Sequence, residues 1–334
     1  MATLAQPEGL LEIRDLVIHF HTRQGIARAV NGASLAVQAG QVVGVVGESG
    51  CGKSVMSRAL LRIEAPGKIE SGQLWLKRQN GSPVRLDELE PTGAQIRSIR
   101  WKEISMVFQE PMTSFGPMHT IGNQIEEALL VHNVASRHDV REAAAEALRA
   151  VGLPRPDKLA DTYPHQLSGG MRQRAMIAMA LCCRPSLLIA DEPTTALDVS
   201  TEAQILDLLR ERQASLGMAI LYISHNLAVL SQIAHEVVVM YLGKVVERAP
   251  VAKLFAEPKH PYTVALIQSM PRIDGDATTR LQVLEGSIPE AYRLPKGCAF
   301  HPRCPQARAG QCEVVAPSVV RNADGHEVSC HLYS

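Results

Sequence analysis

Residues Gly47-Glu48-Ser49-Gly50-Cys51-Gly52-Lys53-Ser54 satisfy the pattern G-x-x-x-x-G-K-[ST], and no other stretch restricts the fold of this chain as much. Three glycines let a backbone turn tightly enough for successive N–H groups to converge on an anion. They do so at the start of a helix, whose dipole favours negative charge. Such a loop needs a buried strand before it and a helix after it. The pattern supplies both: Gln41-Val42-Val43-Gly44-Val45-Val46 is short and β-branched, and Val55 to Ile63 contains neither Gly nor Pro. Lys53 would bring positive charge to the β- and γ-phosphates, and the Ser54 hydroxyl would ligate Mg²⁺. A Gly-rich turn explains the glycines alone, but not the strand, lysine and helix around them. The chain is expected to hold a nucleoside triphosphate in an α/β fold.

Composition narrows the partners. At 334 residues the chain can bury a large core and hold more than one domain. Lys and Arg together number 34, as do Asp and Glu, so no net field draws it to nucleic acid or an anionic bilayer. Met1 to Gly9 lacks the basic and apolar regions of a secretory signal, and the longest apolar run, Ala175 to Cys183, is far too short to span a membrane. A soluble intracellular chain that docks on a membrane protein is therefore expected, with no nucleic-acid partner. Its seven cysteines then read as thiols or metal ligands rather than disulfides.

Residues 10–90 read as strand-rich: Leu11 to Ile18 alternates, and Ser34 to Val46 carries two further strands. From Gly93 to about residue 168 the texture becomes helical, with apolar spacing at Ile121–Val131 and Val140–Val151, and is expected to be an insertion. Strands return at Leu187–Asp191 and Ala219–Ser224, and Glu236 to Arg248 reads as a hairpin turning at Leu242-Gly243. Past Pro258 the chain turns Pro- and Gly-rich. The expected domains are residues 1–255 and an extension over 256–334.

Leu188-Ile189-Ala190-Asp191-Glu192 is an apolar strand ending in two carboxylates. Beside the phosphate loop, Asp191 would stand near Mg²⁺ and Glu192 could polarise the water attacking the γ-phosphate. Asp198 closes the turn that follows. Leu167-Ser168-Gly169-Gly170-Met171-Arg172-Gln173 opens another helix, capped by Ser168, with two glycines exposing N–H groups at its positive end. Two anion-binding devices for one nucleotide make sense if two copies face each other head to tail, each completing the other's site.

In that order, residues 47–54, 167–173 and 191–198 resemble the signatures of an ABC ATPase, and the resemblance covers roughly residues 10–255. It implies a fold with an N-terminal antiparallel β subdomain, a RecA-like core and an inserted helical subdomain. It also implies residue roles: His225 contacts the γ-phosphate, Gln109 links Mg²⁺ and water to the transmembrane partner, and Phe20 stacks on adenine. Ser168, Gly169, Gly170 and Gln173 would face the opposite chain's ATP. The wording around Phe108–Ser114, Thr120–Ile125, Tyr163–Leu167 and His260–Thr263 is similar to dipeptide and oligopeptide importers, closest to their D-type subunit. Phe115-Gly116 and Met118-His119 depart from that pattern, in a segment expected to face the permease. The resemblance implies a second ATPase subunit, as a heterodimer, with two permeases and an extracytoplasmic peptide-binding protein. The chain would lie peripherally on the cytoplasmic face of the inner membrane. Nickel, glutathione and peptide-like antibiotics are alternative solutes within the subfamily, and a soluble non-transport ABC ATPase is the alternative outside it.

Cys298, Cys304, Cys312 and Cys330 fall within the last 37 residues, amid Gly297, Pro302, Pro305 and Gly310. Four thiolates suit a [4Fe–4S] cluster or tetrahedral Zn²⁺, and reduced buried thiols are equally open on spacing alone. The run Gly297 to Pro305 resembles the importer extension, where such cysteines can hold a [4Fe–4S] cluster. His301, His326 and His331 read as surface histidines, or as ligands if the metal is zinc. Cys182 and Cys183 read as small buried residues, and Cys51 as a possible site of alkylation.

Overall fold

The computed structural model describes residues 7–79, 81–109, 114–195, 197–270 and 284–334. Strands β1 (Leu11–Thr22) and β2 (Gly25–Val37) form an antiparallel hairpin, β3 (Val42–Val46) enters the core, and helix α1 (Lys53–Ala59) follows the glycine loop. The chain returns through β4 (Lys68–Leu76) and β5 (Val84–Arg85) to complete a sheet in the order β2-β1-β4-β5. Helix α1 stops short of Ile63 because Arg62 takes a left-handed conformation, φ 54°.

After α2 (Ala94–Ile99) comes β6 (Ile104–Val107), then the helices α3 (Ile121–Val131), α4 (Val140–Ala150), α5 (Pro156–Ala160) and α6 (Gly169–Leu181). Strand β7 (Leu187–Asp191), helix α7 (Val199–Leu216), strand β8 (Ala219–Ser224) and helix α8 (Leu227–Ile233) lead to the hairpin β9 (Glu236–Tyr241) and β10 (Lys244–Pro250). Beyond it lie α9 (Val251–Ala256), α10 (Pro261–Gln268), β11 (Val319–Arg321) and β12 (Glu327–Ser329). The second sheet runs β11-β12-β10-β9-β3-β8-β7-β6, with β9, β3, β8, β7 and β6 mutually parallel.

Both faces of that sheet are covered, which is why β3, β7 and β8 read as unbroken apolar runs. Side-chain alternation sorts them into two cores. Val42 and Val46 of β3, with Ile220 and Tyr222 of β8, join the core shared with the helices. Val43, Val45, Leu221 and Ile223 face the other way, onto the antiparallel sheet and Met56 of α1.

Two sequence-based boundaries shift. Strand β6 lies inside residues 93–168 but pairs in parallel with β7, so the helical insertion begins beyond Val107. Four residues, Ile-Ser-Met-Val, are too few for periodicity to separate a buried strand from a helix turn. The final segment does not stand apart either: β12 pairs with β10, Glu247 opposite Val328, and extends the core sheet. Buried Glu247 holds this junction, accepting from the backbone N–H of Lys259 at 2.7 Å and of His260 at 2.9 Å, and pairing with His326 Nε2 at 2.7 Å. His326 and His331 are therefore buried rather than superficial, 1% and 6% exposed. Tertiary pairing with Glu247 for the first, and with the Val315 carbonyl for the second, drew them in.

Candidate nucleotide site

The phosphate loop leaves the C-terminal end of β3, which lies between the parallel strands β9 and β8, and the ends of β8, β7 and β6 follow on one side of it. This is where open α/β sheets place ligands. Two of the three loop glycines are sterically required: a Cβ on Gly52 (φ 98°) would lie 2.2 Å from the Ala29 carbonyl oxygen, and one on Gly47 would lie 2.2 Å from that of Met240. Ser49 and Gly50 are exposed at the tip, while Lys53 is buried and its Nζ donates to the carbonyls of Gly47 (2.7 Å) and Glu48 (3.1 Å). Cys51 is 3% exposed and burial raises its thiol pKa, with Lys53 opposing, so alkylation there is disfavoured, contrary to the expectation from its position in the loop.

Ser54 Oγ donates to Asp191 Oδ1 at 2.9 Å. Asp191 is 1% exposed; burial pushes its carboxyl pKa up, Glu192 adds to this, and Ser54, Arg58 and Lys53 oppose it. Its Oδ2 has no hydrogen-bond partner among the described residues. A buried anionic oxygen left over beside a hydroxyl suits a hydrated Mg²⁺, so the residues present fit that ion.

Glu192 gathers the remaining candidates. Its Oε2 accepts from Gln109 Nε2 (3.0 Å) and Thr195 Oγ1 (3.0 Å), and lies 3.1 Å from His225 Nδ1. Glu192 itself is at φ 48°, a left-handed turn off the end of β7. Gln109, Glu192 and His225 come from the ends of three different strands, so their meeting follows from sheet order alone. Thr195 belongs to the same cluster, and nothing in its sequence context separated it from a turn residue.

Ser168 caps α6, accepting from the Met171 N–H at 3.3 Å, and both it and Gly169 are exposed while Gly170 is half-buried. Gln173 is buried behind that surface, 1% exposed, and its Nε2 has no partner among the described residues. Asp198 is the exposed cap of α7, bonded to Thr201 N (2.9 Å) and Oγ1 (2.7 Å). Phe20 is half-buried near the end of β1, with its ring close to Gly67. In the segment expected to face a permease, Met118 is 81% exposed and Phe115 is buried. Glu110, Pro111, Met112, Thr113 and Ala196 lie outside the described residues.

Cys298, Cys304, Cys312 and Cys330 are free thiols, and all four line one small pocket of about 10 Å³, together with Phe300, His301 and His331. Burial raises the thiol pKa of Cys298, Cys304 and Cys330. The donor chemistry suits a thiolate-held metal, but the spacing does not: among the described residues, no three His, Cys, Asp or Glu side chains are grouped so as to hold a metal ion.

A family model described as ABC transporter matches residues 30–195, and one described as oligopeptide/dipeptide transporter, C-terminal region, matches residues 246–312. A Brucella melitensis protein assigned provisionally to peptide import as an ATP-binding protein is 47% identical over 329 residues, 96% of each chain. This chain belongs to the ABC transporter family. The dipeptide transport ATP-binding protein DppD of Escherichia coli is 45% identical over 96% of each chain, and the oligopeptide transport ATP-binding protein AppD of Bacillus subtilis is 44% identical over 97% of each. Among solved structures, the ATP-binding cassette MJ0796, a dimer bound to ADP and Pi, superposes with a TM-score of 0.62 at 26% identity, covering 72% of this ABC chain and 98% of that one. The expected fold, an ABC ATPase with an antiparallel β subdomain, is borne out.

Proposed function

We propose that this chain is the ATP-hydrolysing subunit of an importer of di- or oligopeptides, working peripherally at the cytoplasmic face of the inner membrane. The observation that carries the reading is the convergence of Gln109, Thr195 and His225 on the Glu192 carboxylate beside the Ser54–Asp191 pair, in a chain related throughout its length to peptide-transport ATP-binding proteins. Among the described residues no helix is long and apolar enough to cross a membrane, so translocation needs partner chains. These would be two permeases and an extracytoplasmic peptide-binding protein.

ATP would bind with its phosphates over the loop amides and Lys53, and with its adenine on Phe20. Ser54 and Asp191 would hold Mg²⁺, whose charge offsets that of the phosphates. Glu192 would orient and polarise the attacking water, while His225 and Gln109 sense the γ-phosphate. The exposed Ser168, Gly169 and Gly170 would close on the ATP of a second, different ATPase subunit, with Asp198 and Gln173 supporting that face. Tighter nucleotide binding to the closed pair than to the open one would drive the transport cycle. A thiolate-held [4Fe–4S] cluster, or Zn²⁺, as a structural group in the extension belongs to this reading on the donor chemistry of the four tail cysteines alone, since their present grouping is not that of a metal site. Metal and acid-labile sulfide analysis of anaerobically purified protein tests this.

The deciding experiment is purification from native membranes in mild detergent, followed by reconstitution into liposomes. Co-purification of two multi-span permeases and a second ATPase, with ATP-dependent peptide uptake, is the expected result. Recovery of only soluble partners would overturn the transport assignment.

A further inference from the structure

The C-terminal region reaches back to the phosphate loop. Arg303, one residue before Cys304, sets its guanidinium on Glu48, the second residue of the loop, with Nη1–Oε2 at 2.7 Å and Nη2–Oε1 at 3.1 Å. The Arg303 side chain is only 4% exposed, and its other contacts fix its plane. Nε donates to the Glu285 carbonyl at 3.1 Å, Nη1 reaches the Tyr241 hydroxyl at 3.4 Å, and the guanidinium lies 5.9 Å from the Tyr241 ring centre. A second contact is independent of the first: the backbone N–H of Glu48 donates to the hydroxyl of Tyr262, on α10, at 2.9 Å. Tyr262, Tyr241 and Phe300 pack with ring centres 4.8–5.4 Å apart, so both groups that grip Glu48 stand on one aromatic base.

Glu48 is the residue on which the loop turns. Its carbonyl accepts from the Cys51 N–H at 3.2 Å and from Lys53 Nζ at 3.1 Å. Its N–H, carbonyl and carboxylate are thus all engaged, and the exposed tip, Ser49-Gly50, hangs from it. A carboxylate in a loop that binds an anion also has an electrostatic cost, and a bidentate guanidinium neutralises it.

We propose that Arg303 is a positioning residue for nucleotide binding: the C-terminal region sets the affinity of the phosphate loop for ATP by holding and neutralising Glu48. This rests on the ATPase reading above and adds to it a control exerted from outside the ATPase core.

The test is Mg-ATP binding and hydrolysis by the full chain carrying Arg303→Ala, Arg303→Lys, Glu48→Gln and the double change Arg303→Ala/Glu48→Gln, each checked by thermal melting. Arg303→Ala should raise KM for ATP on the order of tenfold, because it strips a bidentate charge partner from a part-buried carboxylate in a loop that binds phosphate. Its kcat should change far less. Lysine should restore little, because it lacks the planar fork. Glu48→Gln in the same chain should recover much of the lost affinity, since the uncompensated charge is gone. A KM within twofold of wild type in folded Arg303→Ala overturns the proposal, as does a defect that Glu48→Gln leaves unrelieved, which marks a purely structural role. Should Arg303→Ala fail to fold, Arg303→Lys carries the same comparison. Wild-type protein that binds no ATP would instead overturn the ATPase reading, so the two failures are told apart.

Discussion

At the scale of single residues, Glu192 is the proposed chemical centre, one of whose oxygens serves three neighbours from three loops. Glutamine in its place keeps the size and loses the charge that polarises water. Glu192→Gln should lower ATP turnover by about 10²–10⁴-fold while binding stays near wild type, measured by phosphate release alongside a fluorescent-nucleotide titration. Turnover within tenfold of wild type would remove Glu192 from its role. Gly52 is as exacting in a different way. At φ 98° and with the Ala29 carbonyl 2.2 Å from a built Cβ, it has room for no side chain. Gly52→Ala should both destabilise the chain by a few kcal/mol and abolish nucleotide binding, read by denaturant titration with and without Mg-ATP. A variant of wild-type stability that still binds ATP would show that the loop relaxes more readily than its packing suggests.

At the scale of elements, α6 has two ends with different tasks. Its body, from Ala175 to Leu181, is buried and anchors the helical subdomain to the sheet. Its N-terminus presents Ser168 and Gly169 to solvent, with the Ser168 hydroxyl accepting the cap bond from the Met171 N–H. Replacing the exposed Ser168 with arginine should leave ATP binding by the single chain intact and prevent ATP-dependent pairing of subunits. Light scattering of a Glu192→Gln background mixed with the co-purified second ATPase subunit and Mg-ATP reads this directly, and pairing undiminished by the arginine would detach Ser168 from the interface. A cap is worth only about 1 kcal/mol, so loss of folding is not the expected outcome.

At the scale of the whole molecule, the C-terminal region is bound in by sheet pairing, by buried polar groups and by the aromatic cluster. His260 caps α10 through Nδ1, which accepts from the Tyr262 N–H at 3.1 Å, and its ring packs 5.6 Å from Phe300. Burial pushes its pKa down to about 4. The unfolded chain takes up a proton near pH 6.5 while the folded chain does not, so the fold is fully stabilised above that pH. The contribution is lost as pH falls from about 6.5 towards 4, and amounts to ~3 kcal/mol over that window. Urea titrations between pH 7.5 and 4.5 should show this slope in the wild type and a shallower one in His260→Gln. Identical slopes would assign the acid sensitivity to other groups.

The sequence by itself determined the candidate residues of the ATP site and several of the strands that carry them. The phosphate loop, the Asp191-Glu192 pair and the buried strands Leu187–Asp191 and Ala219–Ser224 are local: a glycine at a forced φ, or an apolar run with both faces covered, is dictated within a few residues. Only the tertiary structure decided what is non-local. Strand order brought Gln109 and His225 to one carboxylate, although they lie 83 and 33 residues from Glu192. It drew β6 out of the helical stretch and into the sheet, and buried His326 against Glu247, 79 residues away. It also laid Arg303 on Glu48 across 255 residues. No periodicity carries such pairs, because a buried charge becomes tolerable only when its partner arrives from another part of the chain, and that arrival is fixed by packing rather than by neighbours in sequence.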